Sequence, residues 1–178
     1  MSSSPWPALA VASNSALTVR MSRSSPGRYA THEFGKNVYN VKAFDENGKA
    51  LTVKQVEGDV YEIPQHDNAL KVSYTLFGNW TDGTYAGIDP SHAHLNMPAA
   101  IMWVIGMDDR PIHIQFKDLD KNGWKVATQL KPEGNDRYYA HHLQYLMDSP
   151  TELSNYKQSS WQVTNPDGKK QGIRVAIH

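Results

Sequence analysis

The chain has 178 residues, 39% of them hydrophobic, which suffices for one domain with a sizeable core and is short for two. Its 18 Lys and Arg balance 18 Asp and Glu, so it lacks the basic footprint of a nucleic-acid binder or of a protein drawn to anionic membranes. It contains no cysteine, which excludes a disulfide framework and thiolate metal sites and leaves the compartment open.

Residues 1–15 are rich in Ser, Ala and Pro and read as a loose lead-in, with residues 16–178 as a single domain. The start lacks a positively charged segment and makes a poor signal peptide. No apolar run approaches the length of a membrane span. Residues 17–21 (LTVRM) alternate like a strand with no earlier strand to pair with, so the expectation is a truncated first strand and an open sheet edge. Residues 24–28 (SSPGR) form a turn. Residues 37–45 read as a strand ending at the turn Glu46-Asn47-Gly48. Two short strands follow at 51–56 and 59–63. Residues 69–77 (ALKVSYTLF) give the clearest strand, with Leu70, Val72, Tyr74 and Leu76 on one face.

Residues 79–83 turn the chain, and 85–95 read as irregular. Residues 97–104 are apolar throughout and are assigned to a buried strand. Strands are expected at 112–116 and 124–130, and a final hairpin at 160–163 and 173–177 across Asn165-Pro166-Asp167-Gly168. Between them lies residues 139–154 (YAHHLQYLMDSPTELS), the densest run of chemically able side chains. Residues 140–147 within it are expected to form two helical turns. Ser149-Pro150-Thr151-Glu152 has the pattern of a second helix start, with Ser149 as the cap and Glu152 returning a hydrogen bond to it. Many short strands and little helix predict a mainly β fold: a β-sandwich-like or strongly curved antiparallel sheet with one or two short helices.

Motifs are mostly negative. His32-Glu33-Phe34-Gly35-Lys36 begins like the zinc helix H-E-x-x-H, but Lys36 stands where the second ligand belongs. No nucleophile elbow, P-loop or dinucleotide fingerprint is present. His92 and His94 share a side of an extended segment, yet no carboxylate follows closely in Leu95-Asn96-Met97-Pro98, so no tight metal site is expected there. His141 and His142 point apart on a helix and are poorly placed to share an ion. The tryptophans are scattered and read as packing residues.

Four blocks carry a resemblance: residues 20–45 (RMSRSSPGRYATHEFGKNVYNVKAFD), 74–103 (YTLFGNWTDGTYAGIDPSHAHLNMPAAIMW), 123–130 (GWKVATQL) and 143–154 (LQYLMDSPTELS). In this order they resemble the amino-terminal domain of the peptidase M61 family, the glycyl aminopeptidase-like enzymes. The resemblance implies a β-rich domain that precedes a thermolysin-like zinc domain carrying H-E-x-x-H. The sequence ends at Ile177-His178, about where such a domain would begin. The implied cofactor is therefore none in this chain, with zinc in the missing catalytic domain. The implied partners are that catalytic domain in cis and a peptide substrate; a periplasmic or secreted location is compatible. An aminopeptidase also needs a carboxylate to hold the substrate's free amine. Glu152 is the leading candidate, with Asp148 second and with Tyr145 and Gln144 as hydrogen-bonding neighbours. Glu152 as a capping residue and Asp148 as a turn former are the structural alternatives. A free-standing β-sandwich binding module, and an independent metal enzyme using His92 and His94, are the competing functional readings.

Overall fold

The computed structural model describes residues 16–25, 29–66 and 69–178. The expected lead-in at 1–15, and part of the turn at 24–28, lie outside the described residues. In chain order the first half holds strands β1 (Leu17–Arg20), β2 (Val38–Asp45), β3 (Ala50–Leu51), β4 (Lys54–Glu57), β5 (Val60–Ile63), β6 (Leu70–Leu76), β7 (Ala86–Ile88) and β8 (His92–Leu95). The second half begins with the one-turn helix α1 (Met97–Ala100), then β9 (Trp103–Val104), β10 (Ile112–Gln115), β11 (Lys125–Ala127), β12 (Lys131–Gly134) and β13 (Arg137–Ala140). Helix α2 (Leu143–Met147) leads into β14 (Thr151–Ser154), β15 (Lys157–Thr164) and β16 (Lys170–Ile177). The protein is mainly β, and the described residues form several antiparallel sheets with two short α-helices and no closed barrel.

β1 alternates buried and half-buried residues, with Leu17 and Val19 turned into the core beside Ile63, Tyr61 and Ala43. Burying each of these aliphatic side chains contributes about 1.5–3 kcal/mol. β1 is not an open edge. It lies between β5 and β9 in the order β4-β5-β1-β9, pairing Leu17 with Ile63 on one side and Arg20 with Trp103 on the other. The open edge expected for the first strand is thus overturned by its pairing on both sides.

The stretch expected as one buried strand at 97–104 is α1 followed by β9. Pro98 explains the break: it has no N–H for a sheet ladder and suits the first helical turn. Tyr74 then locks the junction, donating to the Ala100 carbonyl at 2.8 Å and accepting from the Met102 N–H at 3.1 Å. Residues 85–95, expected to be irregular, contain β7 and β8, which pair with each other. β12 and β13 were not foreseen as strands. Their hairpin turns through Asn135 and Asp136, both at positive φ (52° and 55°), the backbone of a mirror-type hairpin turn.

The largest correction concerns Ser149-Pro150-Thr151-Glu152. It is not a helix start. Ser149 closes α2 instead: its N–H donates to the Leu146 carbonyl at 3.0 Å and its hydroxyl to the Tyr145 carbonyl at 2.5 Å. Extended chain follows, and Thr151–Ser154 becomes a central strand between β11 and β8. With no helix after Ser149, there is no cap for Glu152 to close.

Candidate functional site

The sheet β11-β14-β8-β7 brings together Glu152, His92 and His94. Glu152 lies opposite His94, and His94 opposite Gly87, in one cross-strand row. Ser154 pairs with His92 two residues along. Side chains directly opposite share a face, so Glu152, His94 and His92 emerge on the same side. The carboxylate that the sequence lacks just after His94 thus comes from a strand far downstream.

The row floors a cleft of about 370 Å³. Its wall is the segment around Trp80, which joins β7 through an isolated bridge between Asn79 and Gly87. A Cβ on residue 87 would lie 2.5 Å from the Trp80 carbonyl oxygen, so this close approach requires glycine. Trp80 stacks on Tyr85 with ring centres 4.8 Å apart. Tyr85 in turn anchors in the core beside Phe34 and Met21.

Glu152 is mostly buried, with its side chain 17% exposed. Its Oε2 is 3.6 Å from His94 Nδ1 and its Oε1 is 3.3 Å from His178 Nδ1. Neither approach makes a well-formed hydrogen bond, and Glu152 Oε1 and His94 Nε2 are both buried without a hydrogen-bond partner. The His178 ring stacks on His92 with centres 4.5 Å apart. Asp89 braces His92 from behind: Asp89 Oδ2 lies 3.3 Å from His92 Nδ1. Hydrogen bonds from the Ser91 hydroxyl and N–H, with the His92 N–H, hold the Asp89 carboxyl down at about 2. Glu152, Asp82 and Asp89 all line the cleft, and no lysine or arginine does among the described residues. Such a site favours a cation.

The other three residues proposed from sequence do not line this cleft. Gln144 donates to Asp148 Oδ2 at 3.2 Å, one turn along α2. The Tyr145 hydroxyl donates to the Gln129 carbonyl at 3.2 Å, and the Gln129 amide donates to the Asp148 carbonyl at 2.8 Å. These contacts brace α2 against the strand region at Gln129. Gln144 also lines a separate, larger cleft of about 560 Å³. The two arginines of that cleft already have carboxylate partners: Arg20 and Arg23 on Asp59, and Arg23 on Glu57 as well.

His92 was singled out in the sequence for its spacing. His178 and Asp89 were missed: His178 arrives from the end of the separate β15–β16 ribbon, and Asp89 stands in the turn between β7 and β8, three residues before His92. The H-E-x-x-H-like stretch offers no zinc helix. Phe34–Asn37 is a single 3-10 turn, Glu33 sits at φ 51°, and the Lys36 ammonium donates to the Tyr85 hydroxyl at 3.2 Å. His32 stacks on Phe34. A catalytic zinc of the H-E-x-x-H type does not fit these residues. His142 is also occupied, its Nδ1 capping α2 by accepting from the Tyr145 N–H at 3.0 Å.

The family model of the peptidase M61 N-terminal domain matches residues 8–155. A solved structure of an aminopeptidase N family protein from Idiomarina loihiensis superposes on 93% of this chain with a TM-score of 0.80, at 20% sequence identity. The chain spans 29% of that protein, and the likeness is one of fold. Glutamate dehydrogenase 2 of Dictyostelium discoideum is 28% identical over 83 residues, which make up 47% of this chain and 8% of the dehydrogenase. A stretch that small carries no activity across. The family match over most of the chain gives the assignment: the chain belongs to the peptidase M61 family, as its amino-terminal domain.

Proposed function

We propose that this domain is the noncatalytic amino-terminal part of a zinc aminopeptidase, and that it holds the free amine of a peptide substrate while a catalytic domain in cis cuts the chain. The observation that carries the reading is the Glu152 carboxylate, mostly buried, with an oxygen that lacks a hydrogen-bond partner, in a cleft lined by acids and without lysine or arginine. An ammonium group supplies three N–H donors and a full positive charge, which match an unpaired carboxylate. Trp80 offers a flat apolar side to whatever follows the amine. With no helix cap to close at Thr151–Ser154, the Glu152 carboxylate is available to an ammonium in this reading. Tyr145, Gln144 and Asp148 act in this reading by fixing α2, which leads directly into the strand bearing Glu152.

The test needs only this chain. Glycinamide and N-acetylglycinamide are titrated against the parent and against Glu152→Gln, with backbone and imidazole NMR shifts as the readout. Saturable shifts at Glu152, His94 and Trp80 with glycinamide alone, lost in the variant, support the reading. Equal responses to the two ligands, or an unchanged response in the variant, refute it.

A further inference from the structure

We propose that His92, Glu152 and His178 form a binding site for a divalent first-row transition ion of the zinc type. One donor atom from each lies within 4.8 Å of the others. The site goes beyond the amine reading and does not rest on it. It is also distinct from the zinc of an H-E-x-x-H helix, which no residue here supplies.

Two imidazoles and one carboxylate are the donor set that zinc, copper and nickel accept, whereas magnesium and calcium prefer oxygen alone. Bonds of about 2.0–2.2 Å place the ligand atoms of a tetrahedral ion roughly 3.3–3.6 Å apart. Closing the present set therefore takes side-chain movement of about 1 Å. His178 has that freedom, being 47% exposed at the end of β16. His92 is already oriented. Its Nδ1 faces Asp89 Oδ2 at 3.3 Å and the Ser91 hydroxyl at 3.2 Å, which leaves Nε2 as the ring nitrogen for the ion. A carboxylate behind a ligating histidine fixes its ring and raises its basicity. The third donor has an unsatisfied oxygen: Glu152 Oε1 is buried without a hydrogen-bond partner. An ion there would satisfy it and tie the end of β16 to the sheet of β8 and β14. It would also exclude an ammonium from Glu152.

Zinc chloride and magnesium chloride are titrated into the parent chain by calorimetry at neutral pH. The expected result is one zinc per chain and no magnesium binding. His92→Ala and Glu152→Gln each weaken zinc binding at least tenfold, while the exposed His141→Ala leaves it unchanged. Cobalt(II) added to the parent gives a readout independent of any variant's folding: the imidazole resonances of His92 and His178 broaden before those of His141 and His142. Absence of a saturable zinc site overturns the proposal. So does equal affinity in the His92 variant, or cobalt broadening that begins at His141 and His142. Because a bound ion would compete for Glu152, glycinamide is titrated separately into metal-free protein, and either reading can fail without the other.

Discussion

Two acidic residues show how differently burial and partners can leave a carboxylate. Asp59 is buried, and burial pushes its carboxyl up. Hydrogen bonds from Arg23 and Arg20 outweigh that and hold it below the usual range. Its oxygens are fully used, so its role is to fasten β1 and the following loop to the turn before β5. Replacement by Asn leaves Arg20 without its carboxylate partner and Arg23 with Glu57 alone, and costs about 2 kcal/mol. The pH dependence has a definite sign. A carboxyl depressed in the folded state contributes stability above the ordinary aspartate value of about 3.9 and loses it as pH falls through the folded value. Asp59→Asn should therefore lower the melting temperature at neutral pH and flatten its decline in acid; an unaltered acid limb in thermal melts would contradict this. Glu152 is the opposite case, buried with an oxygen to spare. Its candidacy was visible in the sequence, since few carboxylates sit in so dense a run of polar groups. Its neighbours were not, because His94 reaches it across the β8–β14 pair and His178 from the end of the separate β15–β16 ribbon.

At the scale of elements, short-range signals misled where long-range pairing decided. Ser149-Pro150-Thr151-Glu152 has every local mark of a helix start, yet Thr151, Glu152, Leu153 and Ser154 pair with Leu95, Ala93 and both histidines of β8. Sheet pairing on both sides of a strand outweighs a weak local preference. Strands with clear alternation, such as β6, and the turn at Asn165-Pro166-Asp167-Gly168 were legible because their signals are local. The cleft wall makes an element-scale prediction. Gly87→Ala forces its Cβ against the Trp80 carbonyl and should destabilise by about 1–3 kcal/mol. Gly172→Ala in β16 meets no atom within 4 Å and should change stability by less than about 0.5 kcal/mol. Denaturant titration separates the two; equal stabilities would mean that the wall moves freely. At the β12–β13 hairpin, Asp136 adopts φ 55°, a conformation that glycine enters without a Cβ penalty. Asp136→Gly should be neutral or stabilising by up to about 1 kcal/mol in the same titration, whereas Asp136→Val should be clearly destabilising.

Across the whole molecule, stability is unevenly distributed. β1, β5 and β9 close over Leu17, Val19 and Ile63, while β15 and β16 pair only with each other and expose nearly every residue. A two-stranded ribbon is marginal by itself. Amide exchange should therefore be fastest in the middle of β15–β16 and slowest in β1 and β5; uniform protection would show that the ribbon is held by more than its own ladder. Trp161 lies half exposed on this ribbon. The general architecture was readable from strand spacing and turn residues. The division into several small sheets was not, since it depends on which strands meet across long stretches of chain.

The central claim is that Glu152 serves substrate recognition and contributes little to the fold. It is tested most directly by Glu152→Gln in the peptidase with its catalytic domain in frame. A carboxylate facing an ammonium in a partly dry cleft contributes about 2–3 kcal/mol, on the order of a hundredfold in rate. Its exposed-side contacts with His94 and His178 contribute at most about 1 kcal/mol to stability. The account predicts a fall in kcat/KM on free-amine substrates on the order of a hundredfold, with the melting temperature nearly unchanged. Normal cleavage by the variant, or a loss of activity matched by a loss of folding, would contradict it.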